Sequence, residues 1–489
     1  MFQDEVEKVE LPAIAQLQQL GWNYVPGASL SPVLPIDGAP STGERGYYRD
    51  VVLVKQLEAA LRRLNPWISE ENLRKVLREI THPHHAGLME YNHAIYQQLV
   101  NYLSVEQDVG KGRKGQTVKI IDFDQPDNND FLCTNQFKIE GLNQNIIPDI
   151  VCFVNGLPLA VIECKSPYIA DALAQGVDQL RRYANLRYHE DDEGAQKLFW
   201  YNQLMVSTCR DQARVGTISS STQHYGDWKD AYPFTDGDIR QLLASAQAEQ
   251  HPLPAATAYQ VTDVPSPAYL LEAQRIAAGQ PAHADINAQE RLLAGLFSPA
   301  NFLDVLQNFT LFEAVDGRLI KKIARYQQYR AVNKVIKRLK EGQDRKEKSG
   351  VVWHTQGSGK SLTMVMLAVK MRRDPELQQY KLVFITDRTQ LDSQLSATFR
   401  DAQNETIHNA GSVAQLKTLL QLDSSDIVTA MVQKFQDAEA EGDFSDLNPS
   451  DKVIVLADEA HRTQFGNLAA TINAALPNAP KIGFTGTPL

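Results

Sequence analysis

Three apolar runs in this 489-residue chain end in side chains that could do chemistry on a nucleotide. Val351-Val352-Trp353-His354-Thr355-Gln356 leads into Gly357-Ser358-Gly359-Lys360-Ser361, and a helix-forming segment, Leu362 to Arg373, follows at once. Strand, glycine loop and helix in that order make a phosphate cradle. Glycines let backbone N–H groups turn toward phosphate oxygens, Lys360 reaches the β and γ phosphates, and the Ser361 hydroxyl is suited to Mg²⁺. The loop from Thr355 to Ser361 is therefore assigned to ATP, although His354 stands where the full pattern has its first glycine. Lys452 to Ala457 is a second apolar run, ending in Asp458-Glu459-Ala460-His461. There Asp458 can hold Mg²⁺ and Glu459 can polarise the attacking water. Lys481 to Phe484 is the third, running into Thr485-Gly486-Thr487-Pro488. A glycine-rich turn alone would be weak evidence, but three such strand ends in order at one-domain spacing are not accidental.

A different chemistry is written upstream. Ile150 to Val154 and Leu157 to Ile162 are apolar runs joined by Asn155-Gly156, a strong hairpin signal. Asp149 precedes the first strand, and Glu163-Cys164-Lys165 ends the second. Residues two apart on a strand share a face, so Glu163 and Lys165 point together while Cys164 turns into the core. Asp149 and Glu163 with a backbone carbonyl can hold Mg²⁺, and a lysine can orient or activate a nucleophile, which is what phosphodiester hydrolysis needs. On pattern alone, a solvated strand face explains the same residues.

Gly-Ser-Gly-Lys-Ser, Asp-Glu-Ala-His and Thr-Gly-Thr-Pro resemble motifs I, II and III of superfamily 2 helicases and translocases. Trp353-His354-Thr355, Thr386-Asp387-Arg388-Thr389-Gln390-Leu391-Asp392 and His461-Arg462-Thr463-Gln464-Phe465-Gly466 narrow the resemblance to the motor (R) subunit of Type I restriction-modification enzymes. Pro148-Asp149 with Glu163-x-Lys165 is similar to the Pro-Asp...Glu-x-Lys nucleases. The resemblance implies an α/β chain: a restriction-endonuclease-like mixed-sheet domain at 1–225, connecting residues 226–285, and a RecA-like parallel-sheet P-loop domain at 286–489. It implies a catalytic set of Asp149, Glu163 and Lys165 helped by Gln179 and Tyr183. Gln327 is taken to read adenine, because Tyr326-Gln327 aligns with the family's Tyr-Gln. Nucleotide contacts at Thr355, Gln356, Gly357, Ser358, Gly359, Lys360 and Ser361 complete the ATP site with Asp458 and Glu459. Implied partners are double-stranded DNA, a modification methyltransferase subunit and a sequence-specificity subunit. A second RecA-like domain is absent from the sequence, so the chain is expected to be a fragment that binds ATP weakly and does not translocate by itself. Two other readings stay open: a helicase-nuclease fusion of DNA repair, and a non-catalytic DNA-binding or assembly module.

The elements that must position these residues are legible from periodicity. Glu5 to Leu20 reads as a helix stopped by Gly21, and Glu10, or nearly as well Glu7, could add an acid to the nuclease site. Helices are expected at Leu53 to Leu64, Glu70 to Ile80, Met89 to Val105 and Ile169 to Leu186, where Gln179 and Tyr183 share a face. Strands are expected at Gln116 to Phe123, Phe131 to Ile139, Phe199 to Ser207, Ala213 to Thr217, Lys381 to Thr386 and Ile427 to Val432. Lys111 to Gly115 is a basic loop, either a phosphate contact or a solvated tip. Asp387 and Arg388 suit DNA contact or a salt-bridged loop. Gln289 to Leu311 is expected to be helical and to pack at the motor's edge. A hydrophobic fraction of 43% and a net charge of −10 fit a globular protein without a general DNA coat. No run reaches membrane-span length, and Met1 to Glu5 lacks a signal peptide's basic start, so a cytoplasmic location is expected. Four cysteines without metal-ligand spacing read as buried, reduced thiols.

Overall fold

The computed structural model describes residues 2–32, 43–110, 112–187, 192–248, 285–355, 359–386, 394–395, 398–399, 407–441, 444–458 and 465–486. Lys111, most of the connecting region, Gln356, Gly357, Ser358, Asp387, Arg388 and Glu459 lie outside them. The chain divides into two compact units, Met1–Tyr326 and Gln327–Leu489.

In the first unit the strands are β1 (Asn23–Tyr24), β2 (Leu103–Asp108), β3 (Arg113–Val118), β4 (Phe131–Asn135), β5 (Ile139–Glu140), β6 (Asn145–Ile146), β7 (Ile150–Val154), β8 (Leu157–Cys164), β9 (Leu204–Thr208), β10 (Ala213–Gly216), β11 (Gly226–Asp227), β12 (Thr310–Val315) and β13 (Arg318–Ile323). A seven-stranded sheet runs β1-β4-β7-β8-β9-β10-β11, parallel at β1/β4 and β8/β9 and antiparallel elsewhere. This is the mixed sheet expected from the sequence. β7 and β8 are buried along their whole length on both faces, which is why they read as unbroken apolar runs. Their turn needs left-handed backbone at both central residues, and Asn155 and Gly156 have φ of 50° and 79°. A Cβ at Gly156 would sit 2.4 Å from the Leu53 carbonyl, so only glycine fits.

Several elements differ from the pattern reading. The helix begun at Leu88 ends at Asn101, and Leu103–Asp108 becomes β2, because Tyr102 takes a positive φ of 63° and the following residues find a hairpin partner in β3. Phe199 to Tyr201 is helical (Gln196–Tyr201) rather than the start of β9. Its aromatic residues look strand-like but fill pockets: Trp200 stacks on Tyr91 at 4.0 Å, and the Tyr201 hydroxyl donates to the Ile80 carbonyl at 2.9 Å. The helices Ala288–Phe297 and Pro299–Asn308 pack within the first unit. Trp22 holds them, edge-on to Phe302 at 5.4 Å and donating to the Phe297 carbonyl at 2.6 Å. The β12/β13 hairpin follows, turned by Asp316-Gly317 and seated by fully buried Lys321, whose Nζ donates to Asn92 Oδ1 at 2.9 Å.

The second unit contains β14 (Gly350–Trp353), β15 (Lys381–Thr386), β16 (Ile407–Asn409), β17 (Ile427–Met431), β18 (Val453–Asp458) and β19 (Lys481–Thr485). They form one sheet, β14-β19-β18-β15-β17-β16, parallel throughout. Parallel pairing places every strand's carboxyl end on one edge, where α/β sheets bind ligands. On one face Val383, Val428, Val455, Leu416, Phe435 and Ile472 form the core. Among the described residues no helix is long and apolar enough to cross a membrane. All four cysteines are buried and unbridged.

Candidate functional site

The hairpin register brings the first cluster together. Ile150 faces Ile162 across β7/β8, so the preceding Asp149 and following Glu163 are the next cross-strand neighbours. Asp149 Oδ2 accepts from the Cys164 N–H at 2.7 Å. Lys165 Nζ donates to Glu163 Oε1 at 2.7 Å and to the Cys164 carbonyl at 2.9 Å. Asp149 is 6% exposed and Glu163 1%, so both carboxylates have left water.

Burial, and then the facing Asp149, raise the Glu163 carboxyl well above its usual range. Burial also raises Asp149, against the pull of Lys165 and the Cys164 N–H. For Lys165 burial opposes the charge, yet Glu163 and Asp149 hold its ammonium above the ordinary lysine range. Two like charges in low dielectric with one lysine between them form an electrostatically incomplete site. Glu163 Oε2 is buried and has no hydrogen-bond partner among the described residues. Among those residues no group of three or more His, Cys, Asp and Glu side chains could hold a metal. The oxygens available are the two carboxylates and the Cys164 carbonyl, a hard, oxygen-only donor set that fits Mg²⁺.

Around this core lie residues that the pattern reading ranked lower or missed. Glu10, 1% exposed, accepts from Asn135 Nδ2 at 2.8 Å and Gln136 Nε2 at 2.9 Å, and the same Gln136 amide reaches Asp149 Oδ1 at 3.3 Å. Burial pushes its carboxyl up to about 7. Glu7, the alternative, pairs instead with Gln3 in solvent. The N-terminal helix has a wide turn at Val6–Glu10, where the Leu11 N–H donates to the Val6 carbonyl five residues back. Pro12 cannot donate one turn on, which favours this loosening, and the wide turn aligns Glu5 with Glu10. Glu5 is raised by burial and feels Lys165, Asp149 and the Ser166 N–H. Pro12 was the available signal for Glu5.

On the helix Ala172–Tyr183, Gln179 Nε2 donates to the Tyr183 hydroxyl at 3.0 Å, and that hydroxyl donates to the Ile147 carbonyl at 3.1 Å. Burial, and then Glu163, raise the Tyr183 phenol, so the pair borders the carboxylates.

The second cluster lies at the carboxyl edge of the parallel sheet. Helix Lys360–Arg373 begins after Gly359, whose φ is 86°. Lys360 Nζ is 4.0 Å from Asp458 Oδ1 at the end of β18, both side chains buried. Ser361 follows on the first helical turn, and Thr355 lies exposed before the loop. The His354 N–H donates to the Thr485 carbonyl at 2.8 Å, tying the loop's start to the end of β19. Gln327, favoured from the sequence, is exposed, whereas Gln328 is buried and donates to the Gly359 carbonyl at 3.1 Å. One residue is a rotation of about 100° on a helix, enough to turn one amide to water and the next to the loop. A Cβ on Gly359 would come within 2.8 Å of that Gln328 amide.

A mixed sheet with a buried carboxylate–lysine hairpin, followed by a parallel-sheet P-loop domain, defines a nuclease-type domain joined to a RecA-like ATPase domain. The model of the Type I restriction enzyme R protein N terminus matches residues 2–224, and the SWI2/SNF2 ATPase model matches 327–489. The chain is 33% identical to the Type I restriction enzyme HindI endonuclease subunit of Haemophilus influenzae, over 98% of this chain and 42% of that protein. It is 29% identical to a putative Type I restriction enzyme MjaIXP endonuclease subunit of Methanocaldococcus jannaschii, again over 98% of this chain and 42% of the relative. Over 98% of its length the chain is similar to Type I restriction enzyme endonuclease subunits, and it spans about 42% of the length of these curated relatives.

Proposed function

We propose that this chain carries the nuclease and one half of the ATPase site of a Type I restriction subunit, which couples ATP-driven translocation along double-stranded DNA to Mg²⁺-dependent endonucleolytic cleavage. The observation that carries the nuclease half is the buried Glu163 oxygen that has no partner among the described residues, in a cluster where Asp149 and Lys165 already converge. Asp149, Glu163 and the Cys164 carbonyl would hold the cation, which when bound activates water and offsets charge on the phosphate. Lys165, held as an ammonium beside Glu163, is placed to orient the attacking water and offset charge on the phosphate, and Gln179 and Tyr183 fix the cluster's outer wall. Glu10, linked through Gln136, supports Asp149.

In the motor half, Lys360 would meet the β and γ phosphates, Ser361 and Asp458 the nucleotide's Mg²⁺, and Glu459 the hydrolytic water. We assign the adenine-side amide to Gln328 in place of Gln327, on its hydrogen bond to the loop. The intact enzyme is proposed to assemble with a methyltransferase and a specificity subunit and to work in the cytoplasm.

Calorimetric titration of this chain with Mg²⁺, and with Mn²⁺ followed by paramagnetic resonance, tests the cation site. Binding that disappears in Asp149→Ala and Glu163→Gln is expected. Unchanged binding in both variants would make the carboxylates scaffold and remove the nuclease reading.

A further inference from the structure

The segment that follows Lys165 carries a feature that the proposed chemistry does not use. Ser166 is buried, but Tyr168, two residues on, is 71% exposed. Three residues of chain span at most about 11 Å, so the Tyr168 backbone lies no further than that from Lys165 of the carboxylate–lysine cluster. Exposed tyrosines on a loop are ordinarily mobile, whereas this one is held. Lys8 Nζ lies 4.4 Å from its ring centroid and 3.0 Å from its hydroxyl, and Asp4 fixes that ammonium from behind at 2.8 Å. Lys8 belongs to the same wide turn, Val6–Glu10, that presents Glu5 and Glu10 to the cluster. One backbone device therefore orients the site's supporting acids and clamps an aromatic ring beside the site.

We infer that Tyr168 is a stacking contact for the DNA strand being cut, taking the face of a nucleobase next to the phosphate that enters the Asp149–Glu163–Lys165 cluster. A tyrosine offers a broad flat surface with few torsions to freeze, and every base presents a π face, so the contact needs no particular sequence. The clamp removes in advance the entropy that stacking would otherwise cost. A phosphate reaching Lys165 carries its neighbouring bases past the rim, which is what favours DNA over a segment of protein as the occupant. Lys8 keeps the ring in place through its hydroxyl contact and its charge over the π face.

This inference rests on the nuclease reading, and the test separates the two. In the full-length subunit assembled in its restriction complex, nicking of closed circular DNA with Mg²⁺ and ATP is compared for wild type, Tyr168→Ala, Tyr168→Phe, Lys8→Met and Lys165→Ala, with thermal melting checking that each variant folds. In parallel, DNA containing 5-iododeoxyuridine is irradiated on the Lys165→Ala complex, which keeps the strand uncut, and the crosslinked peptide is mapped. The expected result is a fall in cutting of roughly five- to a hundred-fold in Tyr168→Ala, retention in Tyr168→Phe, an intermediate loss in Lys8→Met and a crosslink at Tyr168. If Lys165→Ala stops cutting but Tyr168→Ala cuts like wild type, or the crosslink maps elsewhere, the stacking contact is wrong and the nuclease stands. If Lys165→Ala cuts normally, the nuclease reading itself falls. A Tyr168→Ala variant that does not fold leaves the decision to the crosslink and to Tyr168→Phe. A ring covered in the assembled complex would give no crosslink and would overturn the inference.

Discussion

Glu10 allows a quantitative test of the electrostatics around the carboxylate–lysine cluster. Its carboxyl titrates at about 7 in the folded chain against 4.5 for the exposed group, because burial penalises the charge more than Asn135 and Gln136 relieve it. A carboxyl whose folded value is raised contributes stability that is fully present below pH 4.5 and is lost as pH rises through about 7. At about 1.4 kcal/mol for each pH unit that separates the two values, the loss across that window is about 3 kcal/mol. Glu10→Gln removes the titration while keeping the size of the side chain. The assay is guanidinium unfolding of this chain in EDTA at half-unit steps from pH 4.5 to 8.5. Tryptophan fluorescence is the probe, since four of the five tryptophans, Trp22, Trp67, Trp200 and Trp228, lie in the first unit. The difference in stability, wild type minus Glu10→Gln, should fall by about 3 kcal/mol as pH rises across the window. A difference that is flat, or that grows with pH, would refute the buried, poorly compensated carboxyl.

Other substitutions test other contacts. Gln328→Ala should weaken binding of a fluorescent ATP analogue about five- to ten-fold, by loss of a charge-neutral hydrogen bond and its packing, with Gln327→Ala near wild type; the reverse order would restore the sequence-based choice. Tyr183→Phe removes the hydroxyl that joins Gln179 to the Ile147 carbonyl. It should lower cleavage by the assembled enzyme about 10- to 100-fold while ATP turnover persists, and equal loss of both activities would argue for a general folding defect. Gly156→Ala forces a Cβ to 2.4 Å from the Leu53 carbonyl at a φ of 79°. It should cost more than about 1 kcal/mol in the melting of the first unit, and an unchanged melting temperature would show that the turn can shift.

What the sequence made legible, and what it hid, follows from how local each signal is. Asn155-Gly156 dictates its own turn, and once the turn is fixed the register sets Asp149 opposite Glu163, so the carboxylate–lysine cluster could be read from one short stretch. The motor's strand ends were readable for the same reason: in a parallel sheet, each buried run and the polar residues at its carboxyl end are contiguous. Glu5 and Gln136 were not readable, because their place depends on a wide helical turn and on a neighbouring strand. Tyr326-Gln327 matches the family's Tyr-Gln, but a two-letter match carries no helix phase, and phase turns Gln328 to the Gly359 carbonyl while Gln327 is exposed. Phe199, Trp200 and Tyr201 suggest a strand by residue type, but from a helix Phe199 and Tyr201 reach the core and half-buried Trp200 stacks on Tyr91. Asp316-Gly317 was as plain a turn signal as Asn155-Gly156, and only the expectation of a continuous helix through Leu311 obscured the hairpin around it.

The central claim is that two engines share this chain, with Lys165 in one and Lys360 in the other. The most direct measurement is DNA cleavage and ATP turnover by the complete, partner-assembled enzyme with Mg²⁺, comparing wild type, Lys165→Ala and Lys360→Ala. The account predicts that Lys165→Ala abolishes cutting while ATP turnover survives, and that Lys360→Ala abolishes both. Normal cutting by Lys165→Ala would contradict it.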